Sequence, residues 1–165
     1  MKNLAWQQTP CNKSEVLWQY SSRTQTHQEV TIEFIASGDL VPEISYQHCL
    51  INLAAWDAYW QKDLCNYVPE ILSQFPRECC ANAEAYQTEL AQHQQKIERW
   101  QQHLIQNRQI PAVCFEAEQL HGRLRIRQGR HRIAYLRQLG LPVFAAAIPE
   151  IRFEDVKQMR LIQTT

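Results

Sequence analysis

The feature that most limits the fold is the stretch from Ala81 to Asn107, which contains no glycine and no proline. Within it Tyr86, Leu90, His93, Ile97, Trp100 and Leu104 recur at alternating spacings of four and three, the seam of a heptad-patterned helix. At a rise of ~1.5 Å per residue this predicts a rod of roughly 40 Å, longer than a small body can cover. Two outcomes are open: the helix breaks, or part of it projects and meets a partner such as a second copy, giving a homodimer through residues 81–107. His93 in the seam reads as a register-setting or internally satisfied polar residue, because no second His or Cys stands at a close, matching metal-ligand spacing.

A chain of 165 residues fits one domain with an extension and can bury a core without disulfides or metals. Residues 1–28 are rich in Gln, Ser, Thr and Asn, carry isolated Trp6 and Trp18, and show no sustained period, so they are predicted to be a partly ordered N-terminal extension. From Glu29, "EVTIEFIA" sets Val30, Ile32 and Phe34 against Thr31, Glu33 and Ile35, the alternation of a half-buried strand. "EISYQHCLINL" is an apolar run that could be strand or helix. It leads into Leu53, Trp56, Trp60 and Leu64, which share one helical face. Trp56 and Trp60 could stack on a flat ligand, but buried aromatics dominate core energetics and the core is the expectation for both.

The N-terminal residues have no apolar run of the secretory type, and no window approaches the ~20 apolar residues of a spanning helix. A soluble, cytoplasmic protein that does not enter the membrane is the expectation. The six cysteines are scattered with no CxxC pair and are read as reduced, structural thiols.

Seventeen Lys and Arg balance seventeen Asp and Glu, so net charge selects no partner. Placement does. Arg123, Arg125, Arg127, Arg130, Arg132 and Arg137 crowd into one short segment, and no acid occurs between Glu118 and Glu150. Such a patch focuses an anion's approach on a neutral molecule. Around it the pattern reads helix, strand "AVCFEA", turn at His121 and Gly122, strand "RLRIR", a loop at Gly129, helix, and strand. In "RLRIR" Leu124 and Ile126 point one way while Arg123, Arg125 and Arg127 point the other. Ile133, Leu136 and Leu139 are expected in the core, Gly140 at a left-handed helix stop, and "PVFAAAI" in a strand buried on both faces. "FEDVKQMRLI" suits a last amphipathic helix.

The loop "QGRHR" thus joins a strand end to a helix start, where unpaired backbone N–H groups and the helix dipole favour an anion. Gly129 permits close backbone approach or a positive φ. Arg130 and Arg132 can fork onto phosphate oxygens, and His131 can orient a phosphate or transfer a proton. The plain alternative is a solvated basic face with a turn glycine. No GxxxxGK[ST] occurs, which excludes a Walker-type loop.

From Ile97 to Ile148, "IERWQQHLIQNRQIPAVCFEAEQLHGRLRIRQGRHRIAYLRQLGLPVFAAAI" resembles the N-terminal fold of ParB partition proteins and sulfiredoxins: helix and strand, a Gly-x-His/Arg-Arg loop, a helix with a Leu-Gly stop, and a "(I/L)PV" strand. The resemblance covers roughly residues 95–149. It implies an α/β (α+β) fold with a small mixed sheet of ParB/sulfiredoxin type, in which residues 29–165 form the domain and 53–107 a helical insertion containing the long helix. It also implies nucleotide phosphate binding at Gly129, Arg130, His131 and Arg132, with ATP or CTP as ligand and Mg2+ as an accompanying ion. Sulfiredoxins carry a catalytic cysteine where Arg130 stands, which argues against sulfinic acid reduction. ParB proteins carry an acid after the glycine and then a helix-turn-helix domain, whereas here Arg130 replaces the acid and the chain given ends at Thr165. The fold is also similar to that of free serine kinases and of plasmid-encoded proteins that block DNA transfer, associated with ATPase and DNase activity. Glu116 and Glu118, at a neighbouring strand end, are not assigned as a catalytic base.

Three functions are compatible with these residues. One is a ParB-like nucleotide-binding protein, extending to an NTPase with His131 as its catalytic candidate. The second is a DNA-binding protein or nuclease of the plasmid transfer-inhibitor type, with Arg123, Arg125, Arg127 and Arg137 on the phosphate backbone. The third is a non-catalytic interaction module assembling through its long helix.

Overall fold

The computed structural model of the chain describes residues 7–8, 16–23 and 29–163. These form eight strands and four helices in a mixed α+β architecture with two four-stranded sheets. Trp6 of the N-terminal extension lies outside the described residues.

The first sheet is built from β1 (Gln7–Gln8), β2 (Val16–Arg23), β3 (Glu29–Ile35) and β5 (Gln109–Pro111), in the order β1-β2-β3-β5. β2 pairs antiparallel with β3 from Val16 opposite Ile35 to Arg23 opposite Glu29, so part of the stretch read as an extension is a full strand of the sheet. Alternation holds in β3: Ile32 and Phe34 are buried while Thr31, Glu33 and Ile35 are half-buried.

The second sheet runs β4-β8-β6-β7, from β4 (Tyr46–Asn52), β8 (Val143–Pro149), β6 (Val113–Phe115) and β7 (Ile126–Gln128). β8 lies between antiparallel β4 and parallel β6, and every one of its residues is buried. Three consecutive alanines suit this position, since their small side chains let other layers approach both faces. The undetermined run "EISYQHCLINL" therefore resolves as strand β4, selected by its long pairing with β8. Ala112 carries the chain from β5 in one sheet to β6 in the other, its N–H donating to the Ile35 carbonyl.

The first helix, α1 (Leu53–Trp60), is capped by the Asn52 side chain, which accepts from the Ala55 N–H at 2.9 Å. Trp56 and Trp60 are core residues as expected, with Trp56 edge-on to Phe115. The helix ends before Leu64, which is 54 % exposed rather than on its buried face. Between α1 and the next helix lie two short 3-10 turns, at Leu72–Gln74 and Arg77–Cys79. This segment corrects the reading of all cysteines as reduced thiols, for Cys65 is bonded to Cys79. Loop folding brings the two together, and no local spacing announced it. Cys49, Cys80 and Cys114 are free.

The long helix α2 (Ala83–Asn107) is unbroken, started by the Asn82 side chain and stopped by Arg108 at φ 54°. Tyr86, His93, Ile97 and Leu104 are buried and Leu90 and Trp100 half-buried. The seam offered to a partner is thus turned onto the chain's own body, beginning at the Leu72–Gln74 turn and continuing on helix α3 (Arg130–Gln138). In α3 Ile133 and Leu136 are fully buried, but Leu139 is 43 % exposed because the helix stops there. Gly140, at φ 70°, closes it: its N–H donates to Arg137 O and that of Leu141 to Leu136 O, the paired bonds of a Schellman stop. Helix α4 (Glu150–Gln158) follows β8 directly.

Candidate anion-binding site

The site is built at the junction the sequence singled out. Gly129 stands between β7 and α3 with φ 117°, a conformation that side chains of L-residues rarely adopt. It also lies against β6, since a Cβ there would meet the Val113 methyl groups at 3.0 and 3.1 Å. The positive φ expected of this glycine is therefore present, and its tight neighbour is the Val113 side chain. The first helical bond of α3 runs from Ile133 N–H to Gly129 O, so the amides of Arg130, His131 and Arg132 precede the helical ladder and are not satisfied by it.

Beside this helix start is a cavity of about 340 Å³ between α2 and the β7–α3 junction. One wall is Gln128, Gly129, His131 and Arg132, and the other is Lys96, Arg99, Trp100 and His103 of α2. Among the described residues no carboxylate lines it. The α2 residues were not foreseen as a binding wall, although Lys96, Arg99 and His103 recur at spacings of three and four beside the seam, which places them on one helical face.

Arg132 is 4 % exposed. One terminal nitrogen donates to the Pro111 and Ala112 carbonyls, both at 2.7 Å, and the other lies 3.8 Å from Asp39. Its guanidinium sits 4.4 Å from the Trp100 ring centroid, a cation–π contact that joins the two walls. Nε is buried without a partner. Burial pushes the pKa down to about 10, partly opposed by Asp39, and the group remains cationic at neutral pH. Arg132 is therefore an anchored positive charge in the wall, not the free fork the sequence suggested.

Arg130 departs from expectation more completely. It does not line the cavity, and its guanidinium donates to the Asn66 carbonyl at 3.1 Å, clamping the disulfide-closed loop to α3. The pairing of Arg130 with Arg132 around one phosphate is thus corrected, because the helical turn sends the two side chains to different neighbours.

His131 lines the cavity, and its Nε2 lies 2.7 Å from Nδ1 of the buried His93. Glu89 Oε1 stands 3.4 Å from the other nitrogen of His93, one helical turn away on α2. Burial pushes the His131 pKa down to about 3, with His93, Arg130 and Lys96 adding in the same direction. His93 is also pushed down by burial, against the pull of Glu89. Both imidazoles are neutral at physiological pH.

The four arginines assigned to a nucleic-acid surface are not gathered on one strand face. Arg137 is half-buried, pairing with Asp57 and donating to the Val68 carbonyl at 2.6 Å and to the Tyr67 hydroxyl at 3.1 Å. Arg123 donates to the Lys62 carbonyl. β7 spans only Ile126–Gln128, so Arg123 and Arg125 lie outside the strand on which their common face depended. Arg127 is exposed and Arg125 half-buried. Among the described residues no group of three or more His, Cys, Asp or Glu could hold a metal ion, and no helix is long and apolar enough to cross a membrane.

No protein-family profile, curated protein or solved structure matches this chain. The class the structure itself defines is an α+β protein with two mixed sheets and a basic cavity at a strand-to-helix junction.

Proposed function

We propose that the protein binds a phosphate-bearing small molecule, a nucleotide such as ATP or CTP, in the cavity between α2 and the start of α3. The observation that carries this reading is the composition of the cavity wall: Lys96, Arg99 and Arg132 converge beside the start of α3, and among the described residues no acidic side chain joins them. A ParB-like ancestry agrees with this reading and is part of the proposal, as is any Mg2+ that a nucleotide brings with it. Hydrolysis is not assigned, since among the described residues no carboxylate lines the cavity to act as base. Placement in the cytoplasm rests on composition alone, and the Cys65–Cys79 bond is its counterweight, such cross-links being typical of oxidising compartments.

Calorimetric titration of the purified chain with ATP, CTP and GTP in the presence of magnesium tests the reading. Binding should weaken about tenfold or more on Arg99→Ala or Lys96→Ala, the loss expected for a charge-assisted hydrogen bond, and should change little on Arg127→Ala. Absence of heat with all three nucleotides, or binding indifferent to Lys96 and Arg99, overturns it.

A further inference from the structure

Glu89, His93 and His131 form a chain of polar side chains that crosses from α2 to α3 and ends in the cavity. The carboxylate oxygen of Glu89 lies 3.4 Å from His93 Nε2 without making a hydrogen bond to it, and its negative charge favours a proton over a lone pair on that nitrogen. Burial keeps His93 neutral, and its Nδ1 is then bare. At 2.7 Å from that atom, His131 Nε2 must supply the hydrogen, because two lone pairs cannot face each other at this distance. The proton of His131 is thereby fixed on Nε2. The remaining ring nitrogen, Nδ1, carries a lone pair and no hydrogen, and it is the one polar atom the ring has left to offer a ligand.

A bare nitrogen is a poor neighbour for a phosphate oxygen, which is itself an acceptor. Beside Lys96, Arg99 and Arg132, which suit phosphate oxygens, it marks a place for a hydrogen-bond donor on the ligand, as the Gln128 carbonyl on the same wall also does. We propose that Glu89 and His93 are positioning residues that present His131 as a neutral hydrogen-bond acceptor for a hydroxyl group of the ligand. The cavity would thus take a hydroxyl-bearing phosphate ester, such as the ribose phosphate part of a nucleotide, in preference to a bare or deoxygenated phosphate. This rests on the phosphate reading of the cavity given above. The low proton affinity of both imidazoles agrees with it, since a protonated His131 would be a donor at both nitrogens.

Two measurements on the full chain test it separately from that reading. Long-range ¹H–¹⁵N correlation spectra at pH 7, assigned with His93→Gln and His131→Gln variants, report which ring nitrogen is protonated without any ligand. Nε2–H on both rings is expected, with a loss of the single His131 form on Glu89→Ala. A proton on His131 Nδ1, or a His131 tautomer indifferent to Glu89, overturns the proposal. ATP should bind about five- to tenfold tighter than 2′,3′-dideoxy-ATP, the worth of one hydrogen bond, and His131→Ala should erase the difference between the two. Equal affinity of the two nucleotides for the unaltered protein overturns the hydroxyl assignment. Binding of neither, with the Nε2–H form of His131 present, overturns the phosphate reading and supports the acceptor role alone.

Discussion

Gly129 carries two constraints that a side chain violates at once. Its φ of 117° excludes ordinary residues, and the Val113 methyl groups occupy the space a Cβ would need. Gly129→Ala should therefore destabilise the fold by about 1–3 kcal/mol, the range for a strained backbone position, read as a lower urea midpoint with unchanged slope. An unchanged midpoint would mean that the junction relaxes freely. His131 makes a second prediction at this scale. In the unfolded chain a histidine titrates near about 6.5, whereas burial holds the folded group down to about 3. The unfolded state takes up the proton first as pH falls, so stability is complete above roughly pH 6.5 and is lost below it. The limiting slope is about 1.4 kcal/mol per pH unit for each such group, and His93 is shifted in the same direction. Urea midpoints should fall between pH 7 and pH 5, and His131→Gln should flatten that dependence. A profile already flat in the unaltered protein would show that these histidines charge freely in the fold.

Among the elements, α3 and β8 were plain in the sequence because their signals are local: a glycine at each end of the helix, then an apolar run that only a doubly covered strand can use. The binding wall on α2 was half legible. Its seam was visible, but the role of Lys96, Arg99 and His103 depended on which body the seam would face, a tertiary fact. His93 and His131 lie 38 positions apart, and neither gives a sign of the other in the sequence. The strand face proposed for Arg123, Arg125 and Arg127 failed because β7 pairs with only a short β6, leaving Arg123 and Arg125 in the segment that leads into it. The Cys65–Cys79 loop was invisible for the same reason as the histidine pair. It has a measurable consequence: the loop supplies Asn66 to Arg130 and Tyr67 and Val68 to Arg137, fastening α3 from outside. Reduction, or Cys65→Ser, should cost about 3 kcal/mol, as expected for closure of a loop of roughly this length, and mild reductant should lower the melting temperature. Equal melting with and without reductant would exclude a structural cross-link.

At the scale of the whole molecule, the two sheets meet through the step at Ala112, and the first sheet depends on residues that composition alone marked as an appendage. β3 is held on one side by the short β5 and on the other by all of β2. β3 also brings Ile32 and Phe34 to the core, and Tyr20 of β2 is buried with them. Deleting residues 1–28 would turn β3 into an edge strand with open N–H and C=O groups, the geometry that recruits other chains. It would also uncover apolar surface that β2 now shields. The truncated chain should melt at a lower temperature and aggregate at concentrations where the full chain stays monodisperse, as followed by light scattering. Ile35 O receives the Ala112 N–H, and the neighbouring Pro111 and Ala112 carbonyls hold Arg132, so the loss should reach the cavity and weaken nucleotide binding together with stability. A truncated chain that stays monodisperse and binds nucleotide as the full chain does would show that the second sheet and α2 suffice to build the site, and that β2 is the extension its composition suggested.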